Sequence, residues 1–193
     1  MKLKTIHDYV ACISFLFILS TCVTGVIYGV LKEMFSMKVK ILMKIHTMSL
    51  IGLSAYFPLF MGLSLIFLAT SGAIFSFLRI FKDWSKLYKN LFSSFRNTHK
   101  QISLVSFIPI LLVAITGFLH RLLRKWLHFP KEPCRILLQL HSFSILGPQV
   151  GSVTLFFVGT LIVLMTFSGI QMTTLWRYLK KAPQFFFSRK WKM

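Results

Sequence analysis

Polar and apolar positions separate along this chain into long blocks. Residues 9–31, 45–78, 101–120 and 136–176 contain no Asp, Glu, Lys or Arg, in runs of 23, 34, 20 and 41 residues. A helix needs about 20 apolar residues to cross the hydrocarbon core of a bilayer. None of the blocks carries the polar face, repeating every 3.6 residues or so, of a helix half-buried in a soluble protein. The pattern therefore predicts an all-α membrane protein with four transmembrane helices, over 9–31, within 45–78, over 102–119 and over 150–175.

Two blocks are too long for one crossing. Residues 45–78 would extend about 51 Å as a straight helix, and the hydrocarbon core is only about 30 Å thick. A break is expected near Gly52–Pro58, and in the last block at Gly147-Pro148. His46 then sits on a short segment at the membrane edge, ahead of the true crossing. The stretches 32–44 and 121–135 read as basic loops. Residues 79–100 read as a basic interfacial connection, helix or loop, and 177–193 as a basic tail on the membrane surface. The first span is too long for a signal peptide and lacks a small-residue cleavage site, so it is expected to be retained.

Composition supports this class. The 193 residues are 55% hydrophobic and 14% charged, against about 25% charged in soluble domains, and the mean hydropathy is +0.71. The 23 basic residues outnumber the 4 acidic ones, for a net charge of +19. In a soluble chain that excess would suggest nucleic acid. Here the basic residues flank apolar spans, so the lipid bilayer with its anionic headgroups is the expected partner, and nucleic acid is not. The side holding both termini carries 14 Lys and Arg and the other side 9. The positive-inside rule then puts the termini on the cytoplasmic or stromal face of a plasma or thylakoid membrane. Cys12, Cys22 and Cys134 form no CxxC pair, which argues against a disulfide framework or a zinc site. Asp8, Glu33, Asp83 and Glu132 all flank spans, so no carboxylate pair is set up for acid–base work.

Within the apolar blocks, histidines and glycines repeat in register. His7 precedes Gly25 by 18 residues, and His99 precedes Gly117 by 18. His46 precedes Gly52 by 6 and His141 precedes Gly147 by 6; Gly62 to Gly72 and Gly159 to Gly169 are both 10. The repeat divides the chain into a two-helix unit at 1–78, the connection at 79–96, a second two-helix unit at 97–176 and the tail. Two crossings per unit return the second unit to the same side. The tandem repeats should therefore be related by a pseudo-two-fold axis along the membrane normal.

That symmetry pairs His7 with His99 near the side of the termini, and His46 with His141 near the other side. Two imidazoles facing each other across a gap are what a low-spin b-type haem needs as axial ligands. Eighteen residues make five helical turns, so His7 and Gly25 share a helix face, as do His99 and Gly117, with a rise of about 27 Å. Gly25 and Gly117 then face the His46/His141 pair, where a flat macrocycle can approach a helix that has no side chain. The metal-ligand candidates are thus His7, His99, His46 and His141, with Gly25 and Gly117 as cofactor-binding positions. Each residue also has a plainer reading. Histidines at helix ends reach for headgroups, and glycines in membrane helices serve packing. Four histidines in two-fold register favour a site, because ionisable groups inside a membrane usually mark function. His120 and His128 lie in a basic aromatic stretch with Arg121, Arg124, Lys125 and Trp126 and read as interfacial.

The second half resembles the transmembrane part of the PepSY-associated membrane family, including its short cyanobacterial proteins. The residues that carry the likeness are His99, the stretch ending at Gly117, 121–126, 129–132, 137–141, Leu146-Gly147, 157–162 and Ser168-Gly169. The first half is similar more loosely, at His7, Thr24-Gly25, 42–46, Gly52, Gly62 and Gly72. The resemblance implies a haem-binding membrane module related to iron- or siderophore-linked reductases. It carries His7, His46, His99 and His141 over as ligands. The functional expectation is a di-haem b-type electron-transfer protein, possessing two haem b groups and taking electrons from a quinone or a redox partner protein. The alternative is a non-redox scaffold or assembly factor built on the same bundle. A small transporter is disfavoured by the lack of internal charges.

Overall fold

The computed structural model describes residues 3–89 and 95–173. The described residues form six α-helices and no strand: α1 (Leu3–Phe35), α2 (Lys40–His46), α3 (Phe57–Lys89), α4 (Phe95–Arg121), α5 (Lys131–His141) and α6 (Pro148–Met172). Four of them are long and apolar enough to cross a membrane, over Leu3–Lys32, Phe57–Leu78, His99–Trp126 and Pro148–Met172. The protein is therefore an all-α membrane protein with four spans. The expected tail at 177–193 and part of the expected connection, at 90–94, lie outside the described residues.

Both long apolar blocks are broken where the glycines and prolines fall. In the first, α2 ends at His46, a 3₁₀ turn covers Ser49–Ile51, and α3 starts at Phe57. In the second, α5 ends at His141, a 3₁₀ turn covers Ser144–Leu146, and α6 starts at Pro148. The two turns run alike as far as the glycine and then part, with ψ −1° at Gly52 and 165° at Gly147. The second residue after each histidine is left-handed, Met48 with φ 51° and Phe143 with φ 56°, and the sixth is a glycine with φ 75° at Gly52 and 90° at Gly147. Glycine takes such φ values at little cost. Pro148 opens α6 at a position where a helix has no use for its N–H.

Elsewhere the helices are longer than the charge pattern predicts. The stretches at 32–44 and 121–135 are mostly helical rather than loops. The helix α1 runs on to Phe35, α2 begins at Lys40, and a π-helical turn at Leu122–Trp126 carries α4 on toward α5. Likewise α3 does not stop at the end of its apolar run but continues to Lys89. Its 33 residues extend about 50 Å at 1.5 Å per residue, more than the bilayer core needs. A charged residue ends the membrane-compatible part of a helix, but it has helix propensity of its own and need not end the helix.

The four spans form a ring in which α1 packs on α3 and α6, and α4 packs on the same two. Thus α1 lies diagonally across from α4. The core between them holds Ile18, Phe57, Met61, Ile110, Phe143, Val158 and Ile162, together with fully buried Ser14 and Ser106. Those two hydroxyls donate to the carbonyls of Val10 and Ile102, at 2.6 Å each, which satisfies them inside the helix. With lipid outside, helix association relies on close packing at small residues. Gly159 of α6 receives Val26 of α1, whose methyl occupies the place of a Cβ, and Gly62 of α3 receives Phe118 of α4, 2.8 Å from where its Cβ would stand.

Candidate functional site: two pairs of tethered imidazoles

His7 lies in the second turn of α1 and His99 in the second turn of α4. Both line one cavity inside the bundle, with Gly72 and Gly169, and with Ser103, Ser106, Ile110 and Ile162 deeper in. The cavity is partly open to the surroundings and lined mostly by apolar side chains, the kind of lining found in cofactor sites.

Each imidazole is held by its Nδ1. The partner of His7 is Ser71 Oγ at 2.7 Å, and that of His99 is Ser168 Oγ at 2.8 Å. Both serines already donate their own proton within the helix, Ser71 to the carbonyl of Phe67 at 2.6 Å and Ser168 to that of Leu164 at 2.7 Å. A hydroxyl has one proton to give. The serine oxygens must therefore accept, and Nδ1 of each histidine must carry the hydrogen. That fixes the tautomer and leaves the Nε2 lone pair of both rings free. Next to each serine is a glycine; a Cβ on Gly72 would stand 3.8 Å from His7 Cε1, and one on Gly169 would stand 3.1 Å from His99 Cε1. Gly72 is in mid-helix, because α3 continues well past it.

His46 and His141 end the short helices α2 and α5 and turn back onto α1 and α4. Nδ1 of His46 donates to the Thr21 carbonyl at 2.8 Å, and Nδ1 of His141 to the Val113 carbonyl at 2.9 Å. A carbonyl acceptor again puts the hydrogen on Nδ1 and leaves Nε2 with its lone pair. Gly25 and Gly117 lie one turn beyond those carbonyls on the same helix face. The missing Cβ is what lets the ring in: it would stand 2.8 Å from Cε1 of His46 at Gly25, and 2.7 Å from Cε1 of His141 at Gly117. The space free of side chains at these glycines is thus taken by an imidazole, not left open for a macrocycle.

The two rings are also neighbours of each other. Packing among apolar groups pushes the His46 imidazole below its ordinary pKa, and pushes that of His141 down to about 4, with the nearby His46 ring adding to the effect. The carbonyl hydrogen bonds act in the opposite direction but do not prevail. Both rings are therefore neutral at pH 7, the state in which an imidazole can bind a metal.

The contacts in the two halves correspond position by position. His7–Ser71–Gly72 has its counterpart in His99–Ser168–Gly169, and His46–Thr21–Gly25 in His141–Val113–Gly117. The serines and the carbonyls were not legible as partners. Ser71-Gly72 and Ser168-Gly169 stand in register along the chain, but nothing there links them to particular histidines. Of the remaining histidines, His128 is exposed with a left-handed φ of 53°. His120 is half-buried close to His141, Arg121 and Arg124.

Donor chemistry limits what could be held. Among the described residues no three or more His, Cys, Asp or Glu side chains gather as for a bare metal ion. Paired neutral imidazoles with free Nε2 suit a metal whose other ligands come from a macrocycle. Compared with family models, curated proteins and solved structures, the chain matches none.

Proposed function

We propose that this protein is a di-haem b-type membrane electron-transfer protein, a relative of the PepSY-associated transmembrane family, that carries electrons between the two faces of its membrane. One haem b would be held by His7 and His99, the other by His46 and His141. The observation that carries the reading is the shared state of the four rings: each is tethered through Nδ1 to a fixed oxygen on a transmembrane helix and keeps Nε2 free.

Tethering of this kind is what ligating histidines need. A second hydrogen bond sets ring orientation and raises the basicity of the ligating nitrogen. A bound haem supplies one-electron redox chemistry at a potential set by its ligands and surroundings. The chain's own residues orient the four rings and surround them with apolar side chains. His7 is near the start of α1 and Gly25, with the His46 ring on it, lies about 27 Å further along. The pairs would therefore serve opposite faces. Electrons would enter from a quinone or a redox partner protein. With both termini on the more basic side, that side would face the cytoplasm or stroma.

The test is a spectrum. Protein purified in detergent should show the Soret band and the reduced α-band of low-spin haem b, at two haems per chain. A colourless preparation that is folded, and stays so when haem is added, would leave the four histidines as tethers in a non-redox scaffold.

A further inference from the structure

Arg121 ties the second half of the chain to the turn that follows His46. It lies on α4 one turn beyond Gly117, the residue on which His141 rests, and so on the same face. Its Nη2 donates to the carbonyl of Ser54, in the turn between His46 and α3. The guanidinium thus reaches from the second half of the chain to the histidine-bearing turn of the first. Trp126 stacks edge-on against Tyr56 in that turn, with ring centroids 5.2 Å apart, and holds the turn from the other side. The Nε of Arg121 is buried and has no hydrogen-bond partner. No carboxylate among the described residues pairs with the guanidinium. Asp8 is engaged by Lys4 near the start of α1, and Glu132 is exposed at the start of α5.

The fold does not need a cation here. At the offset that relates His7 to His99 and Gly25 to Gly117, the counterpart of Arg121 is Gly29. A Cβ at Gly29 would run into Leu155 of α6. One half of the bundle therefore closes this position with an apolar side chain, and the other opens it to a guanidinium with a donor to spare. Buried donors are rarely left unmatched, and a charged one costs more than a neutral one.

We infer that Arg121 anchors a carboxylate of the group bound between His46 and His141. On the haem reading, on which this rests, the carboxylate is a propionate on the haem edge. Nε–H donates to it while Nη2 stays on Ser54. Arg121 is the positioning residue, and it makes the inner site unlike the outer one.

Two porphyrins with the same ring and the same axial bonds separate the possibilities. Iron protoporphyrin IX carries two carboxylates, and its dimethyl ester carries none. In the His7→Ala chain, which keeps only the inner pair, the acid should bind about ten- to a hundredfold more tightly than the ester, as for a hydrogen bond to a charged group. Arg121→Gln should close that gap, and Arg121→Lys should close it in part. In the otherwise unmodified chain, Arg121→Gln should lower the midpoint potential of one haem and leave the other in place, because a positive charge beside the iron is lost. That measurement needs no His7 variant. Equal binding of acid and ester, or two unmoved potentials, overturns the assignment while the haem reading stands. Failure of both porphyrins to bind any form of the chain overturns both.

Discussion

The ring of His141 lies on the bare Cα of Gly117, so close that a methyl group there would stand 2.7 Å from Cε1 and 2.8 Å from Nδ1. The contact is forced by the hydrogen bond it accompanies. The Val113 carbonyl points along α4 toward residue 117, and the imidazole reaches it at 2.9 Å only by passing over that residue. The glycine and the carbonyl are one device, and Gly25 with Thr21 repeats it in α1.

A sign reversal follows for glycine substitutions. In an ordinary helix interior Gly→Ala stabilises by roughly 1 kcal/mol. At Gly25 and Gly117 the new methyl would overlap a ring that cannot move without losing its acceptor. Overpacking of that kind costs about 1–3 kcal/mol. Gly117→Ala should therefore lower the thermal midpoint in detergent and weaken haem at the inner site, while Gly72→Ala, where the nearest ring atom is an ordinary 3.8 Å away, should be neutral or stabilising. Equal effects at positions 72 and 117 would count against the fit described.

Pairing across the halves is testable by deletion. His7→Ala or His99→Ala should each remove the same haem and spare the other, giving one haem per chain by pyridine haemochrome assay. His46→Ala and His141→Ala should remove the second. If loss of His7 removes both haems in a chain that remains folded, the division into two separate sites is wrong.

The repeat in the sequence contained most of this, but not its connections. The four crossings and the breaks at Gly52 and Gly147-Pro148 follow from block length against bilayer thickness. The glycine register showed which positions matter, and it misled about one purpose, because the ring of a histidine fills the room at Gly25 and Gly117. Hydrogen-bond acceptors were invisible for a simpler reason. Backbone carbonyls have no letter in a sequence, and a serine in a membrane helix ordinarily bonds back into its own turn, as Ser71 and Ser168 also do. Charge was a poor guide to helix ends, since Arg79, Lys82 and Lys86 lie inside α3, which runs on to Lys89.

The serines should tune the outer site. With Ser71→Ala, Nδ1–H of His7 loses its acceptor, which leaves a buried donor unpaired at a cost of about 1–3 kcal/mol. The ring becomes a weaker electron donor to iron, because the hydrogen bond no longer draws charge from Nδ1–H. Redox titration should show one midpoint moved to higher potential and the inner one unchanged, and Ser168→Ala should do the same. Ser71→Thr keeps an acceptor and should leave the midpoint close to that of the unmodified chain. An unchanged midpoint with Ala at 71 would mean that the hydroxyl does not steer the ring.

The haem-free protein should lose stability in acid, and the inner pair sets the window. His46 is held below the ordinary imidazole pKa of about 6.5, and His141 is held down to about 4. Between those values the unfolded chain binds more protons at these positions than the folded one, so stability rises with pH. The contribution is complete above about pH 6.5 and is lost progressively as pH falls toward 4. Thermal midpoints in detergent should follow that slope in the unmodified chain. In His141→Asn, which can still donate to the Val113 carbonyl but cannot titrate, the slope should be shallower. An unaltered slope would mean that His141 is protonated in the folded protein at the same pH as in the unfolded one, which a ring packed on Gly117 beneath apolar neighbours should resist.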